Sequence, residues 1–121
     1  MEIYTSYFSN YKSIPAEYQC VSIANSKPQG LFIPECGLFK PNWGLVKKFK
    51  EQQISYTEFA QCYIAQLNAI PAVEYYDKLR ELSQLNPVVL MCWEKDYEIC
   101  HRTLAAYWLA NNGFVQYKGE L

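Results

Sequence analysis

The stretch Val88–Leu109, "VVLMCWEKDYEICHRTLAAYWL", decides how the rest of this chain is read. Its first five residues are apolar at every position. A strand with one wet face alternates apolar and polar residues, so an unbroken run predicts burial on both faces, as in the centre of a parallel sheet. Asn86 and Pro87 break whatever precedes it. A polar turn follows, and Cys100, His101 and Arg102 then open a helical stretch that starts near Tyr97 and closes at "NNG", ending on Gly113. Asp96 is placed to cap this helix, and Glu98 suits the positive end of its dipole. The unit is strand, turn, helix, and the chain's one histidine stands at the junction.

Upstream, "EIYTSYF" (Glu2–Phe8) is β-branched and aromatic and reads as a first strand. "YQCVSIAN" (Tyr18–Asn25) reads as a second, closed by the breaker-rich "NSKPQG". From Leu31 to Phe39 the pattern is interrupted by Pro34 and Gly37, which predicts a loop. Three helices follow. Pro41 and Asn42 open one that runs to about Gln52, with Trp43, Val46 and Phe49 on one face. Ser55 precedes Glu58 by three, the spacing of a capping box, and Phe59, Ala60, Tyr63, Ile64 and Leu67 form the inward stripe of the second helix. Pro71 suits the first turn of the third, whose Tyr75, Leu79 and Leu82 face inward. The tail "FVQYKGEL" adds an edge strand or frays. These elements predict an α/β fold, a small mostly parallel sheet flanked by helices, in one domain over residues 1–121.

Half of the 121 residues are hydrophobic and 17% are aromatic, with eleven tyrosines, which is a globular composition with a large supply of half-buried rings. A formal net charge of −1 argues against a nucleic-acid binder. The one basic cluster, "KKFK" at Lys47–Lys50, reads as the wet face of a helix. No long apolar span and no signal peptide are visible, so a cytoplasmic protein without a membrane partner is expected. Five cysteines without framework spacing read as thiols, with Cys20 and Cys62 as small core residues and Cys36 in a loop.

The chemistry concentrates at the junction. In open α/β sheets ligands bind beyond the carboxyl ends of the strands, and a helix start there favours an anion. Arg102 adds a forked cation, His101 exchanges protons near neutral pH, and both lower the pKa of a nearby thiol on Cys92 or Cys100. Helical geometry sends Cys100 and His101 about a hundred degrees apart and puts Cys100, Leu104 and Trp108 on one face. On that reading Cys100 packs in the core and His101 and Arg102 lie on the helix surface. A redox pair of Cys92 with Cys100 is sterically possible across the turn. No metal site is expected, because the ligand spacing lacks paired knuckles and adjacent Cys and His seldom share an ion. A phosphatase-type loop is discounted, since "CWEKDYEICHR" has no glycine and is too long for a tight ring of amides around phosphate.

The same residues resemble the signature of the DUF488 family: a strand, a "C-[YW]-E-K" box, a short turn, and "CHR" opening the last helix. "IYTSYFSN", "VSIANSKP" and "GLFKPNWGLVKKFKEQQISYTEFAQCYIAQL" are similar to the family's opening strand, second strand and helical middle. The resemblance places the family motif on Cys92, Glu94, Lys95, Cys100, His101 and Arg102. It implies a functional site without naming a reaction. Two departures stand out, Asn25 where family members carry an Arg after the second strand, and "KDYEI" in place of a turn containing Pro or Gly.

The expected function is binding of an anionic small molecule, a nucleotide or nucleoside derivative, at the strand ends, with turnover left open and no cofactor. Arg102 and Lys95 hold the anion, with Asn25 beside them, while Tyr4, Ser6, Tyr7, Trp43 and Trp93 form the walls. His101 and Glu94 move protons, and Cys92 and Cys100 are the candidate nucleophiles. A structural reading has the box fix the fold, with Glu94 and Arg102 paired, His101 hydrogen-bonded to a backbone carbonyl and both cysteines buried. Two further alternatives differ in class: a thiol or redox enzyme built on Cys92 and Cys100, and an accessory protein whose aromatic surface, including Tyr75 and Tyr76, docks a partner.

Overall fold

The computed structural model describes residues 1–96 and 100–121. Four strands, β1 (Glu2–Tyr7), β2 (Gln19–Ser22), β3 (Val88–Cys92) and β4 (Gln116–Glu120), form one sheet in the order β2-β3-β1-β4. Every pairing is parallel, with Ile3 opposite Val88 and Tyr7 opposite Cys92 across β1 and β3, and Gln19 to Ser22 opposite Val88 to Met91 across β2 and β3. The helices are α1 (Trp43–Lys50), α2 (Tyr56–Asn68), α3 (Ala72–Ser83) and α4 (His101–Asn111). The chain is thus α/β, as its apolar run Val88–Cys92 requires: β3 has a strand on each side and all five of its residues are buried.

Side-chain alternation along β3 divides the core. Val88 and Leu90 join Tyr63, Leu67, Tyr75, Leu79 and Leu109 in a cluster supplied by the helices. Val89 and Met91 face the opposite side, where Phe8, Cys20, Ala24 and Ile33 cover the sheet with connecting segments. A 3-10 turn over Phe8–Ser13 belongs to that cover. Two buried tyrosine hydroxyls reach backbone carbonyls, Tyr63 to Phe39 at 2.7 Å and Tyr75 to Leu67 at 3.0 Å, which removes the cost of burying an unpaired donor. The tail becomes the edge strand β4, held to β1 from Gln116 N–H to the Met1 carbonyl and from Leu121 N–H to the Thr5 carbonyl.

Local rules hold where the signal is local. Ser55 and Glu58 form both bonds of the capping box, and Gly113 takes the left-handed conformation (φ +83°) just beyond α4. Several expectations need correction. The second strand ends at Ser22 rather than Asn25. Pro71 is the N-cap of α3, one residue before its first turn. Cys62 is exposed, because α2 turns Phe59, Tyr63 and Leu67 inward. Cys100, not Asp96, is the N-cap residue of α4, in an extended conformation and without a side-chain cap. The expectations for Tyr97 and Glu98 lie outside the described residues. The buried residues of α4 are His101, Arg102, Ala105, Ala106, Trp108 and Leu109, with Leu104 only partly covered. His101 and Arg102 are core residues, not surface ones.

Candidate functional site

Beyond the carboxyl ends of β2 and β3 the chain leaves a cavity of about 170 Å³. Ala24, Asn25 and Ser26 follow β2 into its wall, and Trp93 and Glu94 follow β3. The start of α4 contributes Cys100 and His101, and α1 closes the far side with Trp43, Val46, Phe49 and Lys50. Trp43 and Trp93 are exposed at 60% and 49%, so two indoles stand at the opening while Cys100 and His101 are buried and Glu94 is half-buried. Trp93 is held in place: its ring N–H donates to the Ser26 carbonyl at 2.9 Å and its edge meets Phe8 at 5.0 Å.

His101 is buried with Nε2 2.8 Å from the Ile23 carbonyl. A carbonyl only accepts, so Nε2 carries the proton and Nδ1 carries the lone pair. Burial lowers the imidazole pKa, opposed by the Ile23 bond and by Glu94, and Arg102 lowers it further. The ring is therefore neutral at pH 7, with Tyr63 at right angles to it. Its Nδ1 lies 3.9 Å from Cys100 Sγ, and Glu94 Oε2 lies 3.5 Å from the same sulfur. As a thiol, Cys100 has an acceptor on two sides.

The structure joins Cys92 and Cys100 as a disulfide, with Cα atoms 7.7 Å apart, which corrects the reading of all five cysteines as thiols. Cys20, Cys36 and Cys62 are free. Burial pushes the Cys20 thiol up to about 11 and raises Cys36 as well, so neither is an activated thiol.

Arg102 is wholly buried and fully engaged. Its Nε and one terminal nitrogen grip both oxygens of Glu120 on β4, at 3.1 and 2.8 Å. The other terminal nitrogen donates to Cys92 Sγ at 3.1 Å and to the Glu94 carbonyl, and the Lys95 carbonyl takes a further bond at 3.3 Å. Arg102 thus stands behind the cavity wall and spends its fork on the protein itself. Lys95 contributes its backbone to this arrangement while its side chain is exposed.

Of the residues singled out in the sequence, Asn25, Trp43, Trp93, Glu94, Cys100 and His101 meet at the cavity, and Cys92 touches it through Cys100. Tyr4, Ser6 and Tyr7 do not line it. Tyr4 stacks on Tyr18 at 4.9 Å, and Ser6 is buried beside Asn10 and the C-terminal residue. Three participants escaped the sequence reading. Lys50 lines the cavity, although it read as wet helix surface; its i+7 spacing from Trp43 was the available signal. The Ile23 carbonyl and Glu120 had no local signal, being 78 and 18 residues from their partners.

A family model named DUF488-N3a, described as the active DUF488-N3 subclade, matches residues 29–113, which include α1 to α4, β3 and most of the cavity wall. No curated protein and no solved structure matches the chain.

Proposed function

The chain belongs to the DUF488-N3a family, and from that premise we propose that it binds a small anionic molecule with a planar portion in the cavity at the ends of β2 and β3. The single observation that carries the reading is the composition of the cavity lining. Two exposed indoles, Trp43 and Trp93, stand with Lys50 around a floor of Glu94, Cys100 and His101. Indole faces stack on flat ligands, an ammonium attracts an anionic group, and the deeper groups supply proton transfer and, once the Cys92–Cys100 disulfide is reduced, nucleophilic sulfur. Lys50 takes the role first expected of Arg102, because it is a cation of the cavity wall and Arg102 is not. A nucleotide or nucleoside derivative has the required combination. The family model's description as an active subclade favours turnover over storage or scaffolding.

Thermal unfolding against a panel of nucleotides, nucleoside derivatives and simple anions tests this. A ligand at a hundred times its dissociation constant adds about 2.7 kcal/mol to the native state. The expected result is a raised midpoint for wild type and a lost response in Lys50→Ala and Trp43→Ala, both on the helix surface. A panel without any shift, or variants that respond like wild type, would sink the proposal.

A second reading, thiol catalysis, is favoured by one observation: the lone pair of His101 faces Cys100 Sγ at 3.9 Å. In this reading His101 takes the thiol proton of reduced Cys100, and the thiolate attacks an electrophile seated in the cavity. Alkylation of the reduced protein at Cys100, lost or slowed in His101→Gln, is its expected sign; equal alkylation in both proteins counts against it.

No helix among the described residues is long and apolar enough to cross a membrane.

A further inference from the structure

The sulfurs of Cys92 and Cys100 and one ring nitrogen of His101 lie within 4.8 Å of one another, all in buried residues. Seen only as a sequence, Cys100 and His101 are helix neighbours that diverge. In the fold Cys100 precedes the helix in an extended conformation (φ −113°, ψ 144°), and this brings its sulfur to within 3.9 Å of His101 Nδ1. The spacing objection to a shared ion therefore disappears.

We propose that, with both cysteines reduced, Cys92 Sγ, Cys100 Sγ and His101 Nδ1 bind one borderline-soft divalent cation of the zinc type. Three further features support the assignment. The first is the His101 tautomer: Nε2–H donates to the Ile23 carbonyl at 2.8 Å, which orients the ring and frees the Nδ1 lone pair, the usual support of a metal-bound imidazole. The second is Arg102, which donates to Cys92 Sγ at 3.1 Å and so stabilises negative charge on that sulfur. The third is the backbone frame. The two Cα atoms stand 7.7 Å apart, wider than the roughly 4.4–6.8 Å usual for a disulfide. Metal–sulfur bonds of about 2.3 Å in a tetrahedron hold two sulfurs about 3.8 Å apart, which suits the wider frame.

A dithiol reductant first breaks the Cys92–Cys100 disulfide, delivering two electrons and two protons and leaving as its own disulfide; binding then releases two protons, one from each thiol, and forms two metal–thiolate bonds and one metal–imidazole bond. Three protein ligands leave the fourth tetrahedral position open. Cys100 and His101 line the cavity, so the open position faces it, with Glu94 alongside. The site deepens the small-molecule reading, since a ligand in the cavity would meet the ion, but metal binding itself does not depend on that reading. It does exclude free-thiol reactivity at Cys100.

The test uses the full chain, reduced and with its thiols counted, titrated with cobalt(II) and then with zinc(II). One equivalent of cobalt should give tetrahedral absorption with thiolate charge-transfer bands, and zinc should bleach both. Cys92→Ser and Cys100→Ser should each weaken the charge-transfer bands, and Cys62→Ser, at a free and exposed cysteine outside the site, should leave them unchanged. A second measurement needs no variant. Zinc at a hundred times its dissociation constant leaves about one site in a hundred free, so alkylation of Cys100 by iodoacetamide should slow about a hundredfold. Wild type without thiolate–cobalt bands, bands that persist when both cysteines are replaced, or alkylation indifferent to zinc would each overturn the proposal. A ligand-induced thermal shift in metal-free protein would leave the small-molecule reading standing by itself.

Discussion

At His101 the surroundings decide both the charge and which nitrogen is available. Its pKa is lowered, chiefly by burial, from the ordinary 6.5. Below that value the unfolded chain takes up the proton more readily than the folded one, so stability falls as pH falls. The contribution is complete above about pH 6.5 and is lost as the pH drops towards the folded-state value. His101→Gln should flatten this part of the profile when urea midpoints are compared across pH; parallel profiles would contradict the assignment. Arg102 presents a different case, a buried guanidinium that needs its carboxylate partner. Arg102→Ala strands Glu120, whose side chain is 15% exposed, and should cost about 3–5 kcal/mol in chemical denaturation. Arg102→Lys should recover only part of the loss, since one ammonium cannot replace a fork that meets five acceptors. The residue types at positions 92, 94 and 100–102 already marked this place in the sequence. The directions of their side chains were not legible there, because Ile23 and Glu120 come from distant segments.

Among the elements, α2 was the most legible, since its start is governed by contacts within four residues. Ser55→Ala removes one side of the capping box and should cost about 1 kcal/mol, read as a shift of the denaturation midpoint with unchanged slope. Helix α4 was the least legible. Its N-cap, Cys100, makes no side-chain cap bond, so no local signal marks where the helix begins. A register set from Tyr97 puts Cys100, Leu104 and Trp108 on the core face. Cys100 and Trp108 are indeed buried and Leu104 is half-covered, but the helix also buries Ala105 and Leu109 completely, and Leu109→Ala should cost about 2–5 kcal/mol while Leu104→Ala costs less. Helix α1 shows a different limit. Its apolar spacing was read correctly as one face, yet periodicity cannot tell a core-facing tryptophan from one at a cavity mouth, and Trp43 is the latter.

Across the whole molecule, β4 links the end of the chain to the site. It pairs with β1 at the sheet edge and delivers Glu120 to Arg102, which in turn holds Cys92 and the turn after β3. Removing residues 116–121 should therefore destabilise the protein by more than about 3 kcal/mol and loosen the floor of the cavity as well as the edge. Chemical denaturation reads the first effect, and faster alkylation of reduced Cys100 reads the second; a truncated chain as stable as the full one would refute the link. The sequence by itself determined the class of the fold and the neighbourhood of the site. Burial on both faces demands the unbroken apolar run Val88–Cys92, and short-range capping and breaking residues bound most helices. Only the tertiary structure decided that His101 and Arg102 lie inside, that Lys50 rather than Arg102 is the cation of the cavity wall, and that two sulfurs and an imidazole converge. Those outcomes depend on which distant carbonyl, carboxylate or strand packs against each side chain, and local spacing carries no record of that.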